Sequence, residues 1–472
     1  MKTHVVPIAT PELGDRSYLL HDGSHALVVD PQRDVDRVLA LADVAGVEIT
    51  HVAETHLHND YLSGGLELAR VTGAAYLVAG GEPVAFKRVP IAPSDRIAIG
   101  DFEVEVVATP GHTPHHVAFV VREDDVPVAL CSGGSMLYGT VGRTDLSGAA
   151  RTEELSRAQY RSVRSLAATL PDEVEVLPTH GFGSFCSSSA ASDVEVSTLA
   201  EQRRVNAVLG AISEPAFVAL VRAGLGPYPS YYATMGPRNR VGAPPMPPPP
   251  VLVDPVQLHQ HLAHGDLLVD LRPRRRFAEF HLSGSLSFEL TQPFTTYLGW
   301  VVPEGCRIVL LAPTYEDLDE AARCLARIGR DGLFAVVPGA LDEIAEESRL
   351  PTDSFGLADF ADLAELRRTS LAPYVLDVRQ SDEWRAGHLE GAVHRFVAQL
   401  FDDGTDLPRG PIFVHCATGY RAGIAASLLE RSGHEVVLVD DDFERAVGAG
   451  LSVVVEGPAG CGPLGPVVRS PA

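Results

Sequence analysis

Nine residues decide how this chain can fold. The run "GAPPMPPPP" at 242–250 carries six prolines. Proline has no backbone N–H and a fixed φ, so such a run cannot enter a helix interior or a central strand. It reads as an extended, semi-rigid spacer. The chain must therefore build separate blocks on either side. One covers 1–241 and the other begins at 251. Both lie within the usual domain range, and 472 residues exceed what one core organises, so two to four domains are expected.

The second block repeats itself. "LLVDLRPRRRFAEFHLSGSLSF" (267–288) aligns with "YVLDVRQSDEWRAGHLEGAVHR" (374–395). Asp270, Arg272, Phe277, His281 and Gly284 match Asp377, Arg379, Trp384, His388 and Gly391 at one offset. Further on, "RIVLLAPTYEDLDEAARCLARIG" matches "PIFVHCATGYRAGIAASLLERSG", each a strand, a short loop and an amphipathic helix. A repeat of about one hundred residues is domain duplication, not a solenoid period. The expected parts are domains at 251–352 and 355–456 and a tail at 457–472. Strand–helix alternation implies parallel sheets in both.

The first block alternates short strands and helices. "SYLLHDGSHALVVD" reads as two strands around an Asp22–Gly23 turn. "DVDRVLALADVAG" reads as a helix ended by glycine. Several later strands end at polar signatures: "THLHND", "TPGHTPHH", "SGGSMLYGTVGRTD" and "PTHG". Polar groups gathered on loops at one end of a sheet are the expected site architecture. His56, His58 and Asp60 alternate in one such loop, where their side chains can converge on a cation, and His112 and His180 end two further strands. Imidazole suits zinc and iron alike, so ligand type alone does not choose the metal. A single histidine here would read as a hydrogen-bonded loop residue; four signatures in this order do not.

The net charge of −24 argues against nucleic-acid binding by phosphate neutralisation and against docking on an anionic membrane. No apolar run is long enough to span a bilayer, and the N-terminus lacks a signal-peptide core. Six cysteines without paired spacing read as reduced thiols, so a cytoplasmic location is expected.

The first block resembles the metallo-β-lactamase superfamily through "THLHND", "TPGHT", "GTVGRTDL" and "PTHG", and "GRTDL" resembles its persulfide dioxygenase branch. The resemblance implies an αββα sandwich with the site at one edge. It also implies a mononuclear Fe(II), with zinc as the other candidate, that oxidises a low-molecular-weight thiol persulfide such as glutathione persulfide with O2, giving sulfite. The branch's ligands map to His56, His112 and an aspartate whose position is Gly134 here. Either His58, Asp60, His180 or a water substitutes, or metal binds weakly, or the domain is a scaffold. Restoring an aspartate at 134 is expected to raise iron occupancy. Two-metal thioester hydrolases of the superfamily need a histidine at Tyr61 and an aspartate at Gly134, so hydrolysis ranks behind. Arg143 is read by resemblance as a substrate-side guanidinium able to grip a carboxylate.

Cys416 follows a buried strand and precedes a helix expected to start near Gly423. Loop amides, the helix dipole and Arg421 would favour the thiolate there. "VLDVRQSDEWRAGHLEGAVH" and "CATGYRA" resemble the rhodanese family, which implies that Cys416 carries a sulfane sulfur and that Arg421, Gly419 and Tyr420 frame it. Cys416 to Arg421 is C-x4-R, one residue shorter than the related phosphatase loop, which favours sulfur transfer. The first copy aligns Ala312 with Cys416 and Asp317 with Arg421, and so reads as a degenerate, structural domain. Together these resemblances imply an enzyme of sulfide and persulfide oxidation, with O2, a thiol persulfide and sulfite or another acceptor as partners. A rhodanese with a scaffold N-terminal domain is the alternative. The thiol carrier and self-association stay open.

Overall fold

The structure, a computed structural model, describes residues 3–188, 194–210, 212–369, 373–403, 406–455 and 467–469. It divides into two compact units. One comprises Met1–Pro248 with Arg323–Asp331, the other Pro249–Ala322 with Gly332–Ala472.

The first unit stacks two six-stranded sheets. One runs in the order His4–Thr10, Asp15–His21, His25–Val29, Glu48–Ala53, Ala75–Ala79, Val89–Ile91. The other runs Ser197–Thr198, Glu175–Pro178, Val126–Gly133, Val117–Glu123, Phe102–Ala108, Arg96–Ile99. The period-two alternation of the strands sorts side chains between layers. Tyr18, Leu20, Leu27, Val29, Val104, Val106, Phe119 and Val121 point into the inter-sheet core. Their neighbours Leu19, Ala26 and Val28 face outward to the helices Asp36–Ala45 and Gly65–Thr72. Ala118, Val120 and Leu130 likewise meet the helices Thr152–Thr169 and Glu214–Gly224. The result is the αββα sandwich. The Asp22–Gly23 turn forms as expected, with the Asp22 carboxylate accepting the Ser24 and His25 amides at 2.7 Å each.

The second unit holds two five-stranded parallel sheets with the same strand order. They run Val251–Val253, Phe334–Val336, Ile308–Leu311, Leu267–Asp270, Leu286–Ser287, and Gly356–Ala358, Val436–Val439, Ile412–His415, Tyr374–Asp377, Val393–His394. The repeat read from the sequence is thus a repeat of topology, packed as one unit. Of the expected tail, Val467–Arg469 forms a strand paired with Val453–Val455; the rest of it lies outside the described residues. No helix among the described residues is long and apolar enough to cross a membrane. Cys131, Cys186, Cys306, Cys324 and Cys416 are free thiols, and Cys461 lies outside the described residues.

Candidate functional site

The loop after Glu48–Ala53 carries His56, His58 and Asp60, and it is held from beneath by Asp30. The Asp30 carboxylate accepts the Thr55 amide and the Thr55 hydroxyl, each at 2.7 Å, and the Thr179 hydroxyl at 2.5 Å. From above, Asn239 on the helix Tyr232–Val241 donates to the carbonyls of His58 (2.9 Å) and Tyr61 (2.8 Å) and accepts the Ser63 amide (2.9 Å). Asp30 itself sits at φ +52°, a left-handed conformation that aspartate tolerates better than most residues.

Hydrogen-bond partners fix the imidazole tautomers. The Thr55 hydroxyl proton goes to Asp30, so its oxygen accepts from His56 Nδ1 at 2.9 Å. His180 Nδ1 faces Asp15 at 2.8 Å and Asp60 at 3.1 Å. His112 Nδ1 donates to the Arg143 carbonyl at 2.7 Å. His58 Nε2 faces Asp30 and Glu54 at 3.3 Å each and the Tyr61 hydroxyl at 3.0 Å. Each ring spends one nitrogen on an oxygen acceptor. His112 Nε2 and His58 Nδ1 are left buried without a partner. His56 Nε2 and His180 Nε2 face each other at 3.3 Å. All four rings are at most 2% exposed.

This arrangement fits a metal ion. Two nitrogens about 2.0–2.1 Å from a tetrahedral ion stand roughly 3.3–3.4 Å apart, and the His56–His180 spacing matches. Carboxylates and a carbonyl behind each ring are the outer partners that orient metal-bound histidines. Burial works against charging His180, but Asp60 and Asp15 override it and push its pKa well above the usual histidine value. His58 is likewise raised to about 9 by Asp30 and Glu54 against its burial. Burial and the His180 charge push His112 down to about 3. Burial also raises Asp15, to about 8, with the adjacent Asp60 carboxylate adding to it.

The ligand atoms form two triads that share His180, one with His56 and His58 and one with His112 and Cys186, and Asp60 stands behind His180. Gly134 carries a correction. A Cβ built there would lie 2.2 Å from His112 Cδ2 and 2.8 Å from His112 Nε2. The imidazole occupies the space an aspartate would need, so introducing one meets a closed pocket, not a vacant ligand position. Tyr61 does not ligate either; its hydroxyl donates to the Asp30 carbonyl at 3.2 Å and backs His58. Arg143 is the second correction. Its guanidinium is consumed by Asp145 at 2.7 and 2.8 Å, by the Phe185 carbonyl at 3.0 Å and by the Gly226 carbonyl at 2.8 Å. It lies over the Tyr228 ring at 4.4 Å and is 2% exposed, so it grips its own loops, not a substrate. Arg151, which is paired with Glu154 at 3.2 Å, and Arg240 lie elsewhere, on a cavity wall that also holds Glu82. With His115 and Tyr232 they line this cavity of about 410 Å³ beside the loop.

Sequence reading missed Asp15, Asp30, Glu54, His116 and Cys186. Asp30 ends the strand-like run "LVVD", a strand-end position that could have been flagged. His116 follows two motif residues; it accepts the Gly134 amide at 3.0 Å and stacks on His56 at 4.9 Å.

In the second unit Cys416 ends the strand Ile412–His415 and is 1% exposed. The Gly419 amide donates to its sulfur at 3.2 Å. The helix runs Tyr420–Arg431, starting three residues before the expected Gly423, because Gly419 at φ +91° turns the chain directly into it. Arg421 is paired with Glu383 at 2.5 and 2.8 Å, which partly neutralises the cation expected beside the thiol. Asp377 holds Arg379 at 2.6 Å. The first copy reaches this loop. Arg274 donates to the Thr418 carbonyl at 3.2 Å and to Asp440 at 2.6 Å, His281 meets Glu430 at 2.6 Å, and the Tyr297 ring lies 5.9 Å from Tyr420. In that copy Ala312 follows the strand Ile308–Leu311, and Asp317 accepts the Thr314 hydroxyl at 2.8 Å.

Comparison with known proteins agrees with both units. Residues 12–180 match the metallo-β-lactamase superfamily and residues 359–448 match the rhodanese-like domain. The human mitochondrial persulfide dioxygenase is 29% identical over 193 residues, 40% of this chain and 69% of that protein. A hydroxyacylglutathione hydrolase of Albidiferax ferrireducens is 29% identical over 166 residues, 35% of this chain and 61% of that protein. A second such hydrolase, of Methylobacillus flagellatus, is 30% identical over 38% of this chain and 66% of that protein. The chain thus spans about two thirds of the length of these curated relatives. A metallo-β-lactamase crystal structure from Staphylococcus aureus superposes at TM-score 0.64 and 25% identity, covering 72% of this chain and 100% of that one. That share is too large for the first unit alone. The chain carries a metallo-β-lactamase superfamily domain with persulfide dioxygenase relatives, followed by a rhodanese-like domain.

Proposed function

We propose that this chain processes sulfane sulfur at two sites: a single-metal oxidation site for a low-molecular-weight thiol persulfide, and a sulfur-transfer site at Cys416. The observation that carries the first part is the buried convergence of His56, His58, His112 and His180, each ring backed by an oxygen acceptor. Those residues would hold the ion, and Fe(II) supplies O2 activation when bound. The overall reaction is RSSH + O2 + H2O → RSH + sulfite + two protons. The other parts fall to the chain itself. Asp30, Glu54, Asp15 and Asp60 orient the rings and balance charge. Arg151, Arg240 and His115 give the adjoining cavity a basic wall suited to an anionic thiol carrier such as glutathione. Tyr61 and Gly134 argue for one metal over two, and hence against thioester hydrolysis.

At the second site the Cys416 thiolate attacks the outer sulfur of a persulfide. The S–S bond breaks, the carrier thiolate leaves, and Cys416 becomes the persulfide. Sulfite then attacks that outer sulfur, thiosulfate leaves, and the Cys416 thiolate returns. The Gly419 amide faces this sulfur and would steady its charge. The Gly134 contact supports a second reading, in which only Cys416 reacts and the first domain binds without oxidising.

Iron content, O2 uptake on glutathione persulfide, hydrolysis of a glutathione thioester and thiosulfate formation should be measured on one preparation. We expect stoichiometric iron, O2 uptake and thiosulfate, without thioester hydrolysis. Cys416→Ser should abolish thiosulfate formation and leave O2 uptake. Sulfur transfer without iron or O2 uptake would sink the dioxygenase reading.

A further inference from the structure

We infer that Cys186 is a metal ligand of the first domain, supplying as a thiolate the anionic donor that position 134 no longer provides. The inference rests on the metal-centre reading above and adds a residue that no motif of the chain singles out.

Cys186 Sγ, a ring nitrogen of His112 and one of His180 all lie within 4.8 Å of one another, and all three residues are fully buried. The bare Nε2 of His112 has no partner. Because Nδ1 is committed to the Arg143 carbonyl, the free nitrogen carries a lone pair and no proton. A buried acceptor of that kind costs stability unless something electropositive meets it.

The backbone holds the thiol and the imidazole in one frame. The Arg143 carbonyl takes the His112 Nδ1 proton, and the Arg143 amide donates to the Cys186 carbonyl at 2.7 Å. The Arg143 guanidinium adds a bond to the Phe185 carbonyl at 3.0 Å. One residue thus braces both donors, through its carbonyl, its amide and its guanidinium. Gly134 and Gly142 flank the same imidazole; a Cβ on Gly142 would lie 2.7 Å from His112 Nδ1. The ring fills the space a side chain at position 134 would need.

Charge favours the assignment. A thiolate ligand places a negative charge directly on the ion, whereas Asp15 and Asp60 reach it only through His180. On binding, the S–H bond breaks, a metal–sulfur bond forms, and the proton leaves to solvent. Zinc, cobalt and ferrous ions all accept mixed nitrogen and sulfur donors.

The test uses the full chain, freed of metal and titrated anaerobically with Co(II). Thiolate ligation gives a near-ultraviolet charge-transfer band that imidazole and carboxylate ligation do not. We expect the band in the wild type and in Cys416→Ser, and its loss with weakened Co(II) binding in Cys186→Ser. A band that survives Cys186→Ser, or Co(II) bound to the wild type without any band, would overturn the inference and leave the metal centre standing. Failure of the wild type to bind Co(II) or iron would overturn both. Should Cys186→Ser unfold, X-ray absorption at the cobalt edge of the wild type decides: one sulfur in the coordination shell supports the ligand, none removes it.

Discussion

Gly134→Asp should damage this protein, although it restores the carboxylate that relatives' motifs would place there. The new Cβ would lie 2.7 Å from His112 Cγ and only 2.2 Å from its Cδ2, the latter more than 1 Å inside ordinary contact. Strand ends on both sides are packed, so the imidazole must swing away. Overpacking of this kind costs about 1–3 kcal/mol. The swing also breaks the buried bond from His112 to the Arg143 carbonyl, a further 1–3 kcal/mol or so. A penalty of roughly 2–6 kcal/mol lowers a midpoint by about 2–4 °C per kcal/mol in a unit of this size. Scanning calorimetry of the full chain would read it on the transition that a chelator shifts, because several units rarely melt as one. Gly134→Ala isolates the steric part and should reproduce most of the loss. Wild-type melting together with a gain in bound iron for Gly134→Asp would refute the closed-pocket argument.

Three further changes probe the supports of each site. Asp15→Asn removes the closer carboxylate behind His180, at 2.8 Å, and should weaken metal binding by about 10–100-fold in a chelator competition, leaving sulfur transfer untouched. Glu383→Gln addresses pH. Burial alone would raise Glu383, but its bonds to Arg421 hold its carboxyl below the ordinary 4.5. A depressed folded pKa means stabilisation present above the ordinary value and lost as pH falls below it. The wild type should lose about 1 kcal/mol of denaturant stability from this pair on acidification to its folded pKa, and Glu383→Gln should flatten that slope. Phe119→Ala, at the centre of the inter-sheet core, should cost about 3–5 kcal/mol in chemical unfolding.

The strands and the duplicated sheets could be read in the chain because their causes are local, whereas the sandwich followed from the resemblance carried by the polar strand-end motifs. Alternation in "DFEVEVVAT" sorts faces without help from elsewhere, and "GAPPMPPPP" stops any element from crossing it. Histidines in short motifs were legible for the same reason. What supports them was not. Asp15, Asp30 and Glu54 reach His180 and His58 through the fold, and of the three only Asp30, at the end of "LVVD", carries a local sign. Arg143 shows the opposite failure. Its motif suggested a substrate contact, yet Asp145 two residues on consumes it. The helix after Cys416 begins early because one left-handed glycine shortens the loop, a conformational fact that propensity does not encode.

The Asn239 clamp has a consequence for where this protein's individuality lies. The family-wide match stops at residue 180, but the side chain that ties down the histidine loop comes 59 positions later in the chain, on Tyr232–Val241. Arg240 and Cys186 fall in the same stretch. Residues 12–180 match the superfamily and carry the histidine motifs; the sixty or so that follow supply the side chain that clamps the histidine loop. Chimeras that exchange 181–241 between relatives would move chemistry as well as stability, and a chain cut at residue 180 would keep the histidines but lose the grip that aims them.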